Sequence, residues 1–197
     1  GKEDDPGSSW FIGEAINVFY DYKKIGIWQD TPEDRAEMEK FNQNGSNFAP
    51  GTIRLWDNGD YKITSEDRVI QGQQRPKVIL SLNNTFRYRD FDFSFFFEGN
   101  FGAMIKNNIS YLNQAHRNGN VKVDYWTPTN PTNAFPRPIE GVDYLPYYET
   151  LHYEKSDFIK LRNVTLGYTI PSHITKKWDI SRCRVYVQAQ NSWMWTN

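Results

Sequence analysis

The sequence has almost no cysteine, no long apolar run and no excess of charge of either sign. Cys183 is the only cysteine among 197 residues, which excludes an internal disulfide framework and a zinc cluster of paired cysteines. No apolar stretch approaches the ~18 residues of a membrane-spanning helix. The 23 basic and 24 acidic residues give a net charge of −1, so nothing in the charge balance favours nucleic acid as a partner. These absences exclude disulfide-stapled domains, helical membrane proteins and nucleic-acid binders.

Catalytic patterns are missing as well. The three histidines, His116, His152 and His173, lie far apart in predicted loops, and neither GxSxG nor HExxH occurs. Carboxylates are plentiful, so a glycosidase-like pair of acids stays open on composition alone. Residues 1–9 are polar and do not read as a signal peptide, which predicts a mature chain or a piece of a longer one. No constellation of residues indicates an enzyme.

What the chain does contain is aromatic residues in alternating segments. Residues 77–89 and 91–101 form two such segments joined at Arg89 and Asp90. Successive side chains of a strand point to opposite faces, so each segment predicts a strand with one apolar and one polar side. Both are longer than the usual strand of about five or six residues and match the ~9–11 residues that cross a bilayer. The polar side would face a lumen and the apolar side lipid. The apolar positions are Val78, Leu80, Leu82, Phe86, Tyr88, Phe91, Phe93, Phe95, Phe97 and Phe101.

The connections between the predicted strands alternate between short and long. Three further strands are predicted at 14–22, 158–170 and 182–195, and residues 24–76 and 102–157 form long connections rich in Pro, Gly, Asn and Asp. Long structureless loops are uncommon in compact soluble domains, whereas barrels have tight turns at one rim and long loops at the other. The pattern predicts an all-β fold of antiparallel up-and-down strands from a large transmembrane β-barrel, with long extracellular loops.

One short helix is expected inside the first long connection, over residues 32–41. Thr31 would be its N-cap and Pro32 its first residue, which is the usual order at a helix start.

Six stretches, which cover most of the chain, resemble the C-terminal part of the SusC/RagA family of TonB-linked outer-membrane importers of Bacteroidetes. They occur in the order that the family has them. The stretches are GEAINVFYDYKKIGIWQ (13–29), NGDYKITSEDR (58–68), LNNTFRYRDFDFSFFFEGNFG (82–102), YWTPTNPTNAFPR (125–137), SDFIKLRNVTLGYTIP (156–171) and RVYVQAQN (184–191).

The resemblance implies a barrel of roughly twenty-two strands closed by a plug in the outer membrane of a Gram-negative bacterium. It implies energy from TonB through an N-terminal region absent from this sequence, a SusD-type surface lipoprotein as partner, and oligosaccharide or peptide cargo. Five strands cannot close such a barrel, so residues 1–197 are expected to be a fragment from its C-terminal part, without the plug and most of the barrel.

An acidic loop is a candidate cation site. Asp57, Asn58 and Asp60, with Asp67, resemble a calcium loop in which oxygen ligands alternate around a hard cation. The family pattern has an Asp and a Gly where this chain has Trp56 and Tyr61. A plain β-turn with Gly59 is the alternative, and no other cofactor is indicated.

The remaining candidates follow from the predicted faces and loops. Trp193 and Trp195 end the last strand, which predicts a place in the aromatic girdle at the membrane interface. Aromatic faces stack on sugar rings, so six loop aromatics are candidates to contact cargo or a partner, although packing of the loops is the simpler alternative: Trp28, Trp56, Tyr125, Trp126, Tyr147 and Tyr148. The candidates for the lumen-facing side are Ser94, Glu98, Arg162, Arg184 and Gln188.

Two other functions stay open on the sequence. The Phe row that begins at Phe91 would pack the core of a soluble β-sandwich carbohydrate-binding module, or the chain would be a β-rich glycoside hydrolase domain. The exposure of this row distinguishes a membrane wall from a sandwich core.

Overall fold

The computed structural model describes residues 3–107, 123–142 and 145–196, and it divides the chain into two compact units. One unit comprises Gly1–Gln74 with Ile105–Glu154, and the other comprises Arg75–Met104 with Lys155–Asn197. His116 falls outside the described residues. Among the described residues, no helix combines the length and apolarity needed to cross a membrane.

The second unit is built on a four-stranded antiparallel sheet. Its strands are β5 (Val78–Tyr88), β6 (Phe91–Phe101), β9 (Phe158–Ile170) and β10 (Cys183–Thr196), in the order β10-β9-β6-β5. Each agrees to within one residue with a strand predicted from the alternating sequence. The sheet is therefore all antiparallel, as predicted, and its strands follow the up-and-down order of the chain.

Short connections join the neighbours of this sheet. Tyr88 pairs with Phe91, which leaves only Arg89 and Asp90 in the turn, and Arg89 takes a φ of 54°. A two-residue hairpin needs such a conformation because its twist must match that of the strands. Between β9 and β10 the chain forms a short helix, Ser172–Thr175, followed by the 3-10 turn Lys176–Trp178.

A bulge explains why the alternation fails in the first half of β9. Phe95 pairs with Val164 and Phe97 with Leu161, so β9 has one residue more than β6 over this stretch. The extra residue puts Leu161 and Val164 on the same face although they are three apart. Position 162 lies at this bulge, beside the polar face of the sheet.

The first unit carries the remaining strands and the longest helix. Its elements include β1 (Val18–Tyr22), β2 (Lys24–Ile27), α1 (Pro32–Gln43), β3 (Ile53–Leu55) and β4 (Arg68–Gln73). The pairs β1 with β4 and β2 with β3 are two-stranded sheets. A further two-stranded sheet joins β7 (Met104–Lys106) and β8 (Tyr153–Lys155), and Tyr148–Leu151 form a 3-10 turn.

The predicted helix is confirmed at its start and extends two residues further than expected. Thr31 is its N-cap, and the Thr31 hydroxyl oxygen accepts a hydrogen bond from the Asp34 N–H at 3.2 Å. Such a bond satisfies one of the free N–H groups of the first turn.

One expectation from the sequence needs correction. The predicted strand at 14–22 begins only at Val18 and pairs with β4 instead of joining the four-stranded sheet. The described parts of the two long connections contain two buried clusters. One cluster comprises Ile27, Ile53, Leu55, Trp126 and Leu151, and the other comprises Trp28, Met38, Phe41 and Phe48.

Candidate functional site

The four-stranded sheet has one apolar face, and that face is exposed. Residues directly opposite one another in a sheet share a face, and the register pairs Phe86 with Phe93 and Leu166 with Phe93. Leu80 is 59% exposed, Phe86 56% and Val187 76%, whereas side chains in a sandwich core are almost fully buried. Among the described residues, no second layer covers this face, which counts against the soluble β-sandwich.

Aromatic rings form a continuous row on the apolar face. The ring centroids of Phe86 and Phe95 lie 6.1 Å apart, those of Phe93 and Phe95 5.9 Å, and those of Phe95 and Phe97 5.5 Å. These spacings are those of favourable aromatic pairs. The row is therefore a contiguous exposed apolar surface, and contiguous surfaces of this kind mark interactions with another protein or a membrane.

Tryptophans extend the row toward the end of β10. Trp195 lies 6.4 Å from Phe97 and 5.8 Å from Trp193, measured between ring centroids. Both tryptophans are at least half exposed. Their place in a membrane-interface girdle stays a prediction, and their position on the apolar face agrees with it.

The opposite face carries the polar residues that the sequence singled out. Ser94 pairs with Thr85 and with Thr165, and Gln188 pairs with Thr165 from the other side. The Gln188 side chain donates a hydrogen bond to Asn163 Oδ1 at 2.8 Å. The structure thus brings these lumen-facing candidates to one face. That this face lines a lumen remains a prediction.

Two ion pairs cross this polar face. The Arg162 Nε donates to Glu98 Oε2 at 2.5 Å. The Arg184 guanidinium donates to both carboxylate oxygens of Asp92, at 2.9 and 2.5 Å. Such two-point pairs hold a guanidinium and a carboxylate in a defined geometry.

A glycine makes the second ion pair possible. Asp92 is on β6 and Arg184 on β10, so the pair passes over Gly167 on the intervening β9. A Cβ at Gly167 would lie 2.3 Å from Arg184 Nη2 and 2.6 Å from Asp92 Oδ1. Asp92 and Gly167 were not singled out from the sequence, where the only signal is a glycine interrupting a long strand.

The acidic loop brings together three of its four predicted ligands. One carboxylate oxygen from each of Asp57, Asp60 and Asp67 lies within 4.8 Å of the others. The fourth candidate, Asn58, is exposed, and its Oδ1 accepts a hydrogen bond from the Asp60 N–H at 3.1 Å. Backbone N–H groups orient the carboxylate of Asp67, which accepts from Asn58 at 3.0 Å and from Thr64 at 2.7 Å.

The loop fits a hard cation such as calcium. Asp57 Oδ1 is buried and has no hydrogen-bond donor among the described residues, while Asp57 Oδ2 accepts from Gly59 and Tyr61. A buried oxygen without a partner is costly, and carboxylate oxygens are the ligands that calcium prefers.

In the acidic loop, packing stabilises Tyr61, which replaces a glycine of the family pattern. Tyr61 stands at the family's glycine position and adopts a φ of 58°, a conformation that costs a residue with a side chain about 1–2 kcal/mol. Its ring centroid is 5.4 Å from that of Phe41, and Lys40 Nζ lies 4.7 Å above the ring. These contacts offset the backbone strain.

The structure corrects the prediction for two of the six loop aromatics. Trp28 is 1% exposed and Trp126 4%, so neither ring is available to stack on cargo. Trp28 packs against Phe41 and under the Arg54 guanidinium at 4.3 Å, and Trp126 Nε1 donates to Gln29 Oε1 at 2.8 Å. The simpler alternative, packing of the loops, is correct for these two residues.

The other four aromatics are accessible to different degrees. Trp56 is 36% exposed and Tyr125 45%, whereas Tyr147 and Tyr148 are half-buried. Tyr147 packs against both buried clusters, and this burial raises the pKa of its hydroxyl. The role of these four residues in contacting cargo or a partner stays a prediction.

A buried histidine lies among charges near the same aromatics. His152 is 4% exposed, and its ring centroid is 5.6 Å from that of Tyr148. Lys106 Nζ donates to Glu149 Oε2 at 2.6 Å, and that bond lowers the pKa of Glu149. Burial, aided by the positive charge of Lys106, lowers the pKa of His152.

Comparison with known proteins finds receptors of one kind. No protein-family model matches the chain. TonB-dependent receptor P3 of Formosa agariphila is 31% identical over 183 residues, which is 91% of this chain and 18% of that receptor. TonB-dependent receptor P26 of the same bacterium is 28% identical over 191 residues, which is 94% of this chain and 19% of that receptor. The chain therefore spans about one fifth of the length of the curated relatives it matches.

Solved structures share the fold. The structure of the RagAB peptide transporter matches with a TM-score of 0.65 at 18% identity, over 91% of this chain and 19% of that chain. The RagAB peptide importer in its "open-open" state also matches with a TM-score of 0.65 at 18% identity, over 95% of this chain and 20% of that chain.

The outer-membrane localisation expected from the sequence is confirmed by these relatives, which carry the names of receptors and transporters and not of enzymes. The resemblance seen in six stretches of sequence is confirmed in the same way. Over most of its length the chain is therefore similar to part of the TonB-dependent receptors, and it shares its fold with part of the RagAB peptide transporter.

Proposed function

We propose that the protein containing this chain imports nutrients across the outer membrane by a TonB-dependent mechanism and without covalent chemistry. The observation that carries the proposal is a single-layer sheet with an exposed aromatic face and an ion-paired polar face. A wall between lipid and a lumen requires that combination, and the sequence relatives are named TonB-dependent receptors.

In this proposal the two units of the chain have different tasks. Four strands of the closed barrel, in its C-terminal part, are β5, β6, β9 and β10. The Phe row faces lipid and the ion pairs face the lumen. The unit that contains α1 forms the extracellular loops. Its two buried clusters would give those loops a fixed shape.

The partners follow from the same proposal. TonB would act through a region outside this chain, and a SusD-type surface lipoprotein would cover the loops. Trp56 and Tyr125 are the exposed aromatics best placed to contact that lipoprotein or the cargo. The cargo would be an oligosaccharide or a peptide, and the fold neighbour named as a peptide transporter supports the second.

Uptake by cells tests the import function. The gene encoding the full-length receptor would be deleted in its host, and growth would be measured with single oligosaccharides or with peptides as the limiting nutrient. We expect growth on one nutrient class to be lost and to be restored by the intact gene but not in a strain without TonB. Unchanged growth on every nutrient, or restoration without TonB, would contradict the proposal.

Fractionation separates the proposal from its rivals. The full-length protein should be found in the outer-membrane fraction and should migrate differently on gels with and without heating. A carbohydrate-binding module would stay soluble after lysis without detergent. Turnover of polysaccharide by the purified protein, abolished by one Asp or Glu substitution, would favour the glycoside hydrolase.

We also propose that the acidic loop holds calcium. Asp57, Asp60 and Asp67 would supply carboxylate oxygens, and the orphaned Asp57 Oδ1 is the observation that favours a ligand over a plain turn. The ion would neutralise three clustered carboxylates and hold the segment between β3 and β4.

Calcium titration of the purified receptor tests this second proposal. Asp57→Asn keeps the shape of the side chain and removes its charge, and it should weaken calcium binding at least about tenfold, since ligand charge tunes affinity in such loops. Glu66→Gln is a matched control in the same loop, because Glu66 is exposed and lies outside the cluster. Equal affinities of the two variants and the unmodified receptor would refute the site.

A further inference from the structure

A cavity of about 330 Å³ lies in the first unit, separate from the acidic loop. It is bounded by the segment after α1, from Gly45 to Ile53, and by the segments around Arg137 and Tyr147. Its volume is at the lower end of the ~300–1,000 Å³ of ligand pockets. A cavity of this size suits a small group rather than an extended chain.

Arg137 lines this cavity and also a neighbouring pocket, which Asp30 lines as well. Its Nε is buried without a hydrogen-bond acceptor among the described residues. The described residues that line the cavity include no Asp or Glu. An arginine stays charged at every physiological pH, and a buried donor such as Arg137 Nε is costly while it has no acceptor. An anion in the cavity would supply that acceptor, and a planar carboxylate matches the guanidinium best.

The rest of the lining is mostly apolar. Phe48, Ile53, Ile139 and Leu145 contribute to the walls, and the other polar side chains are Ser46, Asn47, Thr52 and Tyr147. A uronic acid would bring several hydroxyl groups into mostly apolar walls, and each hydroxyl left unpaired costs affinity. A carboxylate attached to an apolar side chain would leave few polar groups unpaired. The C-terminal residue of a peptide has that chemistry.

The position of the guanidinium is built into the backbone. The Arg137 N–H donates to the Gly51 carbonyl at 2.8 Å, and Gly51 has a φ of 87°. A Cβ at Gly51 would lie 2.8 Å from Arg137 Cδ and 2.5 Å from a ring carbon of Trp126. Only a glycine at position 51 lets the stem of Arg137 lie against this segment, so Gly51 is a positioning residue for the cavity.

From these observations we infer that the Arg137 cavity binds the C-terminal carboxylate of a peptide that ends in an apolar residue. The inference rests on the proposed import function, because import is what would bring a peptide to the site. Of the two cargo classes, it favours peptides and names the residues that would bind them. Gly51 and Arg137 together would make the site selective for the free acid.

Binding to the purified full-length receptor tests the inference without TonB or transport, so a failure here leaves the import proposal standing. The probes are N-acetyl-Ala-Leu as the free acid, the same dipeptide as its C-terminal amide, and glucuronic acid, each measured by saturation-transfer NMR. We expect the acid to bind at least about tenfold more tightly than the amide, because a hydrogen bond to a charged group is lost with the carboxylate.

Two substitutions locate the effect. Arg137→Gln should weaken binding of the acid about tenfold and remove the difference between acid and amide, whereas Arg137→Lys should keep part of that difference. Arg68→Gln is the matched control, because Arg68 is exposed and lines neither this cavity nor the neighbouring pocket that contains Arg137.

Three results would overturn the inference. The first is equal binding of the acid and the amide to the unmodified receptor, a comparison that requires no variant to fold. The second is full discrimination between them in a folded Arg137→Gln receptor. The third is binding of glucuronic acid in the absence of peptide binding, which would assign the cavity to acidic sugars.

Discussion

Phe95 and Ser94 are neighbours in β6 whose side chains lie on opposite faces, so an arginine at each position tests which face meets lipid. Phe95 pairs with Asn84 and with Val164 on the apolar face, in the middle of the aromatic row. An arginine near the bilayer midplane on a lipid-facing position costs about 2–4 kcal/mol. The lost ring contacts add to this cost, at about 0.5–1.5 kcal/mol for an aromatic pair.

The expected loss for Phe95→Arg is therefore at least about 2–4 kcal/mol, or about thirty- to several-hundred-fold in the folding equilibrium. Ser94→Arg introduces the same charge on the polar face. There the carboxylates of Asp92 and Glu98 share its face, two and four positions away on the same strand. A substitution on that face should change stability by no more than about 0.5 kcal/mol.

The measurement is denaturant unfolding of the full-length receptor in lipid vesicles, with heat-modifiable gel migration as the readout of insertion in cells. Phe95→Arg should lower the unfolding midpoint and reduce the inserted fraction, and Ser94→Arg should match the unmodified receptor. Equal losses in the two variants, or a larger loss for Ser94→Arg, would refute the assignment of the faces.

Three further predictions concern single positions. Gly167→Val should break the ion pair between Asp92 and Arg184 and change the conductance of the receptor in planar bilayers. Gly99→Val is the control, because its added side chain would meet Phe101 and leave that ion pair in place. Identical conductance in both variants would contradict the role of Gly167 in the ion pair. Trp28→Ala should lower the free energy of unfolding by about 3–5 kcal/mol, whereas Trp56→Ala at an exposed position should change it by less than about 0.5 kcal/mol. Equal effects of the two substitutions would contradict the assignment of Trp28 to the core. The pKa of His152 is lowered in the folded state, so the unfolded state binds a proton more readily than the folded state does. The free energy of unfolding should therefore fall as the pH drops from 6.5. If a His152→Gln receptor loses the same stability between pH 7 and 5, another group is responsible.

The strands of the four-stranded sheet were predictable because alternation is a local property. A strand repeats every two residues, so the Phe row and its polar partners identify β5 and β6 without knowledge of neighbours. The bulge in β9 was not predictable in this way. The extra residue at position 162 has meaning only relative to β6, and in the sequence it appears as a mere break in the alternation.

The candidate sites were predictable in their chemistry and less so in their accessibility. The three carboxylates of the acidic loop are close in sequence, so their approach in space follows from one tight loop. Trp28 and Trp126 are almost a hundred positions apart, and each falls in a segment rich in loop residues. Trp28 is buried by α1 and the segment around Phe48, and Trp126 is buried in the cluster of Ile27, Ile53, Leu55 and Leu151. No local pattern connects either tryptophan to all of these segments.

The sequence alone determined the two-faced strands, the tight hairpin at Arg89, the start of α1 and the resemblance to TonB-linked importers, because each depends on residues near one another in the chain or on ordered motifs. Tertiary structure alone decided which aromatics are buried, that Asp92 and Arg184 meet over Gly167, and that Arg137 Nε is buried without an acceptor among the described residues. The physical reason is the range of the interactions: backbone periodicity and capping act within a few residues, whereas burial and ion pairing depend on which distant segments the fold brings into contact.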